Sequence, residues 1–159
     1  MATQQKYRFA VPKGTSKTDR RRIGLDVITF IQQQAINFNR GFNKNKGRFG
    51  LYVDFIDYTE KYAKKKGVGV GDVDLINKGN MFNAMEVLQV KEADHITVGF
   101  RLGTQNDKAE GNQKGTYGQR NPKKKKPRPF LGISKIELAT IVKKVKVEGQ
   151  TEKENVSEE

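Results

Sequence analysis

Residues 85–102 read MEVLQVKEADHITVGFRL, and this stretch decides the fold. Two arms, 85–90 and 96–102, flank a polar turn at 91–95. In the second arm Ile96, Val98, Phe100 and Leu102 face one way, and Thr97, Gly99 and Arg101 the other. That period of two predicts an antiparallel hairpin with one face needing cover. Helices on either side of it in the chain supply the cover. Ser134 and Glu137 form an S-x-x-E capping box that opens a final helix. Ile136, Leu138, Ile141, Val142 and Val145 give that helix its buried side. Upstream, Ser16 or Thr18 can cap a helix over 17–38. There Ile23, Val27, Phe30, Ile31, Ala35 and Phe38 recur at helical spacing, broken by Gln34. The class is therefore α+β: a small antiparallel sheet packed by helices, with a long basic loop and extended termini.

The remaining segments read in the same way. Residues 1–16 are polar and basic with a short apolar patch at Phe9, Ala10 and Val11, and predict an N-terminal arm; a frayed terminus is the plainer alternative. Residues 39–50 (NRGFNKNKGRFG) predict a loop. Phe49, Leu51, Val53 and Phe55 alternate as in a short strand. A short helix is expected over 60–66, stopped by Gly67 and with lysines at its negative end. A glycine-rich connector over 67–72 leads to a second short helix over 74–83. Residues 103–127 carry almost no apolar side chain and predict a long basic loop, functional or disordered. One domain over 17–147 and an acidic flexible tail over 148–159 complete the division. Gly24 weakens the first helix by about 1 kcal/mol relative to alanine. Arg20, Arg21 and Arg22 sit at the positive end of its dipole, so a carboxylate or phosphate is expected to compensate them.

Composition removes several classes of function. The chain has 159 residues and no cysteine, which excludes disulfides, thiolate metal sites and a cysteine nucleophile. Its single histidine, His95, leaves no His-rich metal site. No apolar run approaches the roughly 20 residues that cross a bilayer, and residues 1–11 lack a secretory signal's apolar stretch. A basic, soluble, intracellular protein with no membrane association is expected. The formal charge is +13, and the tail over 148–159 carries −4, which leaves +17 for residues 1–147.

Few motifs suggest chemistry. The glycines of 67–72 (GVGVGD) and 111–116 (GNQKGT) miss the spacing of nucleotide-binding loops, so flexible loops are the expected reading. Asp54, Asp57, Asp72 and Asp74 have no diagnostic spacing and read as solvated or capping carboxylates. His95, beside Asp94, reads as a turn residue rather than a base. No catalytic residue, cofactor or metal is assigned, and the chain is not expected to be an enzyme. The densest basic run, 120–128 (RNPKKKKPR), holds six cations in nine residues. With Arg20, Arg21 and Arg22, its Lys123, Lys124, Lys125 and Lys126 are candidates for contact with the phosphate backbone of DNA or RNA through counterion release. A self-repelling solvated loop is the alternative reading. No aromatic residue is interleaved in the run, so base stacking is not expected.

Five collinear pieces resemble the bacteriophage virion-morphogenesis proteins of the minor-tail, tail-completion and neck type. Residues 127–134 (PRPFLGIS), followed by 137–141 (ELATI), resemble the segment that leads into that family's final helix. Residues 58–67 (YTEKYAKKKG), 74–81 (DLINKGNM), 95–100 (HITVGF) and 108–112 (KAEGN) match further pieces in order. The resemblance spans about residues 49–142. It implies a structural virion protein that joins head and tail as a ring, often of six copies, located in the virion neck or tail and in host cytoplasm during assembly. Its implied partners are copies of itself, neighbouring head-connector and tail proteins, and packaged DNA. The segments 112–134 and 1–22 are then expected to hold the subunit contacts. Asn112, Lys114, Tyr117, Pro127, Arg128, Pro129, Phe130 and Leu131 are the named candidates, and packing into the chain's own core is the alternative for Phe130. A small nucleic-acid-binding protein is the competing reading of the whole chain.

Overall fold

A computed structural model describes residues 3–43, 51–55, 60–67, 69, 71, 80–114 and 128–157. The elements in chain order are β1 (Lys6–Ala10), α1 (Lys17–Phe38), β2 (Arg40–Asn43), β3 (Leu51–Asp54), α2 (Glu60–Lys66), α3 (Asn80–Asn83), β4 (Glu86–Gln89), β5 (His95–Gly99), α4 (Thr104–Lys114) and α5 (Lys135–Ser157). The class is α+β, with two small antiparallel sheets.

The hairpin forms as expected, with β4 and β5 antiparallel and an irregularity between Val87 and Gln89. Its apolar face carries the core, because Ile96, Val98 and Phe100 are fully buried. Leu102 leaves that face and is exposed, since the chain departs from the sheet before it. The arm over 1–16 is not free. Residues 6–10 pair with β5 from Lys6↔Gly99 to Ala10↔His95, giving the sheet order β1-β5-β4. The signal lay in Tyr7, Phe9 and Val11, whose alternation puts Phe9 and Val11 in the core.

Helix α1 spans the residues that the spacing predicts. Ser16 caps it by accepting from the Asp19 N–H at 3.1 Å, and Asn39 ends it in the left-handed region at φ 52°. Ile23, Val27, Ile28, Ile31 and Ala35 form its buried side. Gly24 has a positive reason to be there. A Cβ at that position would stand 2.8 Å from a Val87 methyl and 3.4 Å from Ile96, so α1 crosses the sheet at its closest approach there. The last helix meets the Ser134 cap, with the Glu137 N–H donating to Ser134 Oγ at 3.3 Å. Val142 and Val145 are buried, and Leu138 and Ile141 pack against the core. Ile136 is 80% exposed, because it lies on the side of the helix roughly opposite Val145. The helix continues through the acidic tail as far as Ser157, where a flexible end was expected.

Two further expectations change. Residues 40–43 leave the predicted loop and pair with β3, from Arg40↔Asp54 to Asn43↔Leu51. Residues 104–114 leave the predicted long loop and form a helix. It escapes an apolar pattern because its buried residues are Asn106, Ala109 and Gly111. Helix α2 matches its expected bounds, and α3 covers the end of the second short helix. The remainder of that helix and of the glycine connector lies outside the described residues, apart from positions 67, 69 and 71. No described helix is long and apolar enough to cross a membrane.

Candidate functional site

The described part of the 127–134 piece, residues 128–134, enters the core of its own chain. Phe130 is 1% exposed and stands edge-on to Phe82 at 5.6 Å and to Phe100 at 6.1 Å. Its N–H donates to Gln113 Oε1 at 2.6 Å, and the Leu131 N–H donates to the same oxygen at 3.2 Å. Pro129 presents its carbonyl to Gly41, where a Cβ would collide with it. Gly132 lies against the Phe42 ring, which leaves no room for a side chain. The Arg128 N–H donates to the Asn112 carbonyl at 2.7 Å. Asn112 turns its side-chain amide to the Lys108 carbonyl at 3.0 Å and to Met81 Sδ at 3.5 Å. Lys114 pairs with Glu110 one helical turn back, at 2.6 Å. Asn112, Phe130 and Leu131 are thus engaged within the chain. Tyr117 and Pro127 lie outside the described residues.

Of the candidate phosphate contacts, Arg20 is committed internally. Its Nε donates to the Val90 carbonyl at 2.9 Å and its guanidinium NH1 group to the Thr15 carbonyl at 2.5 Å. Two carbonyls, not a phosphate, compensate its place at the helix N-terminus. Arg22 meets Glu148 of α5 at 2.9 Å, so a carboxylate of the expected acidic tail offsets the second cation. Arg21 is exposed. Lys123, Lys124, Lys125 and Lys126 lie outside the described residues.

Polar groups elsewhere serve the architecture. Asn106 is fully buried; its Oδ1 accepts from the Gln5 N–H at 2.6 Å, and its amide donates to the Thr3 carbonyl at 3.1 Å. Helix α4 therefore ties down the chain just before β1. Tyr7 donates to the Ile133 carbonyl at 3.3 Å, and Tyr52 accepts from the Ser134 N–H at 2.9 Å. Burial raises the ionisation range of both phenols. Arg40 lies over the Phe38 and Tyr52 rings at 5.1 and 5.7 Å, with Gln34 accepting from its Nε at 2.7 Å.

At the β4–β5 turn, Glu92, Asp94 and His95 converge within 4.8 Å. Arg8 occupies Glu92 at 2.6 Å and His95 Nδ1 meets Asp94 at 2.9 Å. The hydrogen bond from Arg8 holds the Glu92 carboxyl below its ordinary range, and the bond with His95 does the same for Asp94. His95 is the first residue of β5, opposite Ala10, and not a residue of the turn where it was expected. Asp54 is exposed on β3; Asp57, Asp72 and Asp74 lie outside the described residues.

One open feature was not legible in the sequence. A groove of about 850 Å³ runs between β1 and α5. Phe9, Val11, Ile133, Leu138 and Val142 line it, and Lys143 and Lys146 stand on its helical wall. It exists because 6–10 is a strand at the sheet's edge and α5 passes beside it. No family model matches the chain, and no curated protein or solved structure does either.

Proposed function

We propose that this protein is a non-enzymatic structural component of a tailed-bacteriophage virion, a neck or tail-completion subunit that closes into a ring with copies of itself. One observation carries the reading. Four of the five collinear pieces that resemble the virion-morphogenesis family converge at a single point of the fold. Met81 from the third piece meets Asn112 from the 108–112 piece, Asn112 receives the Arg128 N–H, and Phe130 packs on Phe100 from the strand piece. Segments that are far apart in sequence and share one packing unit are what the reading expects of pieces that work together. The motif's work is to fix α4 and α5 against the sheet, and the outer surfaces of those helices and of α1 are left to neighbours. Leu25 and Ile36 on α1 and Ile136 on α5 are exposed apolar residues available for such contacts.

Ring closure follows from a heterologous contact repeated around an axis. Negative-stain electron microscopy of the purified chain tests it. Closed rings of uniform diameter are expected; a monomer of 18.0 kDa at every concentration would refute the reading. The competing reading, binding along a phosphate backbone, rests on the +17 body and the lysine run. The internal use of Arg20 and the pairing of Arg22 with Glu148 draw two of its candidate cations away from it.

A further inference from the structure

The hydrogen-bond register of β1 decides which of its backbone groups are free. The Gln5 carbonyl accepts from the Phe100 N–H at 3.0 Å, and the Val11 N–H donates to the Asp94 carbonyl at 2.8 Å. In an antiparallel strand the N–H and C=O of one residue point to the same side. Residues 5, 7, 9 and 11 therefore bond to β5, and Lys6, Arg8 and Ala10 direct their N–H and C=O groups outward. No described residue bonds to those outward groups. The side chains alternate in the other dimension. Tyr7, Phe9 and Val11 lie on the groove face, Lys6 and Arg8 on the opposite, exposed face, and Ala10 is exposed and borders the groove.

We propose that the free edge of β1 and the groove beside it take an extended acidic segment of another protein as an added strand. The geometry sets what that segment carries. Alternate side chains enter the groove between β1 and α5, and the apolar floor of Phe9, Val11 and Val142 selects apolar residues there. The intervening side chains on that face lie beside Lys6, where a carboxylate is favoured; Arg8 is already paired with Glu92. Lys143 and Lys146 add positive charge on the groove wall. Main-chain hydrogen bonds supply the affinity and the alternating pockets the specificity, as in other strand additions. A second copy of β1 is a poor occupant. Antiparallel self-pairing centred on Arg8 would set Arg8 opposite itself, and like charges directly opposed are destabilising. An exposed edge strand is otherwise a hazard that proteins blunt with charge, and Lys6 and Arg8 do so against copies of this chain, while Lys6, Lys143 and Lys146 invite an acidic partner. The inference rests on the register and the groove and is independent of ring formation.

The test uses the full chain and two fluorescein-labelled peptides, one of alternating Val and Glu, the other of alternating Val and Lys. Anisotropy is expected to show binding of the Val-Glu peptide and at least about tenfold weaker binding of the Val-Lys peptide. Ala10→Pro removes an outward N–H without touching the ladder to β5, and is expected to weaken Val-Glu binding by about tenfold. Replacing Lys6, Lys143 and Lys146 together with Glu is expected to abolish the preference for Val-Glu. A Val-Glu peptide N-methylated at alternate residues tests the backbone bonds without any change to the protein, and is expected to lose binding. Equal binding of both peptides, binding of neither, or full binding of the N-methylated peptide overturns the proposal. So does concentration-dependent self-association that Ala10→Pro abolishes, because a second copy would then hold the edge.

Discussion

Replacing Phe130 with alanine separates a core residue from a subunit contact. The side chain is 1% exposed and packs edge-on against both Phe82 and Phe100. Truncating a buried phenylalanine costs about 3–5 kcal/mol, from lost transfer energy and the cavity left behind. The two aromatic pairs, at about 0.5–1.5 kcal/mol each, place the loss in the upper part of that range. With a urea slope of roughly 2 kcal/mol per molar, the midpoint should fall by about 2 M. The melting temperature should fall by roughly 6–20 °C. Circular dichroism in urea, at two protein concentrations, reads both quantities. A fall independent of concentration is expected, because the ring is buried within one chain. Phe130→Leu, which keeps most of the volume, should cost about 1–2 kcal/mol and covers the case in which the alanine variant does not fold. A loss below about 1 kcal/mol for Phe130→Ala, or a loss that vanishes at high protein concentration, would refute the reasoning.

Three other perturbations probe separate parts of the structure. Arg20→Met deprives two carbonyls of charged donors and should cost about 2–4 kcal/mol in urea denaturation, with little change at high salt; Arg21→Ala should stay within about 0.5 kcal/mol. Gly24→Ala adds about 1 kcal/mol of helix propensity but drives a Cβ against Val87, and overpacking of about 1–3 kcal/mol should leave the variant no more stable than the parent by melting temperature. The Glu92 carboxyl is held below its ordinary range by Arg8, so its stabilising effect is present at neutral pH and is lost as pH falls through that lowered value. Glu92→Gln should therefore shrink the drop in melting temperature on acidification, with Asp94 and Glu110, which are lowered in the same sense by His95 and Lys114, still contributing to the acid limb.

What the sequence made legible was whatever depends on apolar period. Helix α1, helix α2, the β4–β5 hairpin and the start of α5 all carry that signal or a cap beside it. Helix α4 carries neither, because it buries Asn106, Ala109 and Gly111 and spends its polar groups on the backbone of residues 3 and 5. Strand β1 was masked by its position near the chain end and its basic residues, although Tyr7, Phe9 and Val11 alternate. Leu102 fits its period and is exposed, since period alone cannot say where an element runs past its neighbour, whereas Ile136 lies roughly opposite Val145 around the helix and faces outward. Asn112, Phe130 and Leu131 were expected at subunit contacts, and the structure engages them within the chain. The need to compensate Arg20 and Arg22 was also legible, but the partners were not. Val90, Thr15 and Glu148 come from distant parts of the chain or from a turn that spacing does not reveal. The groove required both an unexpected strand and the path of α5, so no local pattern announces it.

The most direct test of a structural role in a virion is to find the chain there. Tailed particles produced from the genome that encodes it should be purified, their proteins quantified by mass spectrometry, and the chain localised with antibody-coupled gold. The account predicts a small fixed copy number per particle and label confined to the junction of head and tail. Purified, infectious particles that contain none of it would contradict the account.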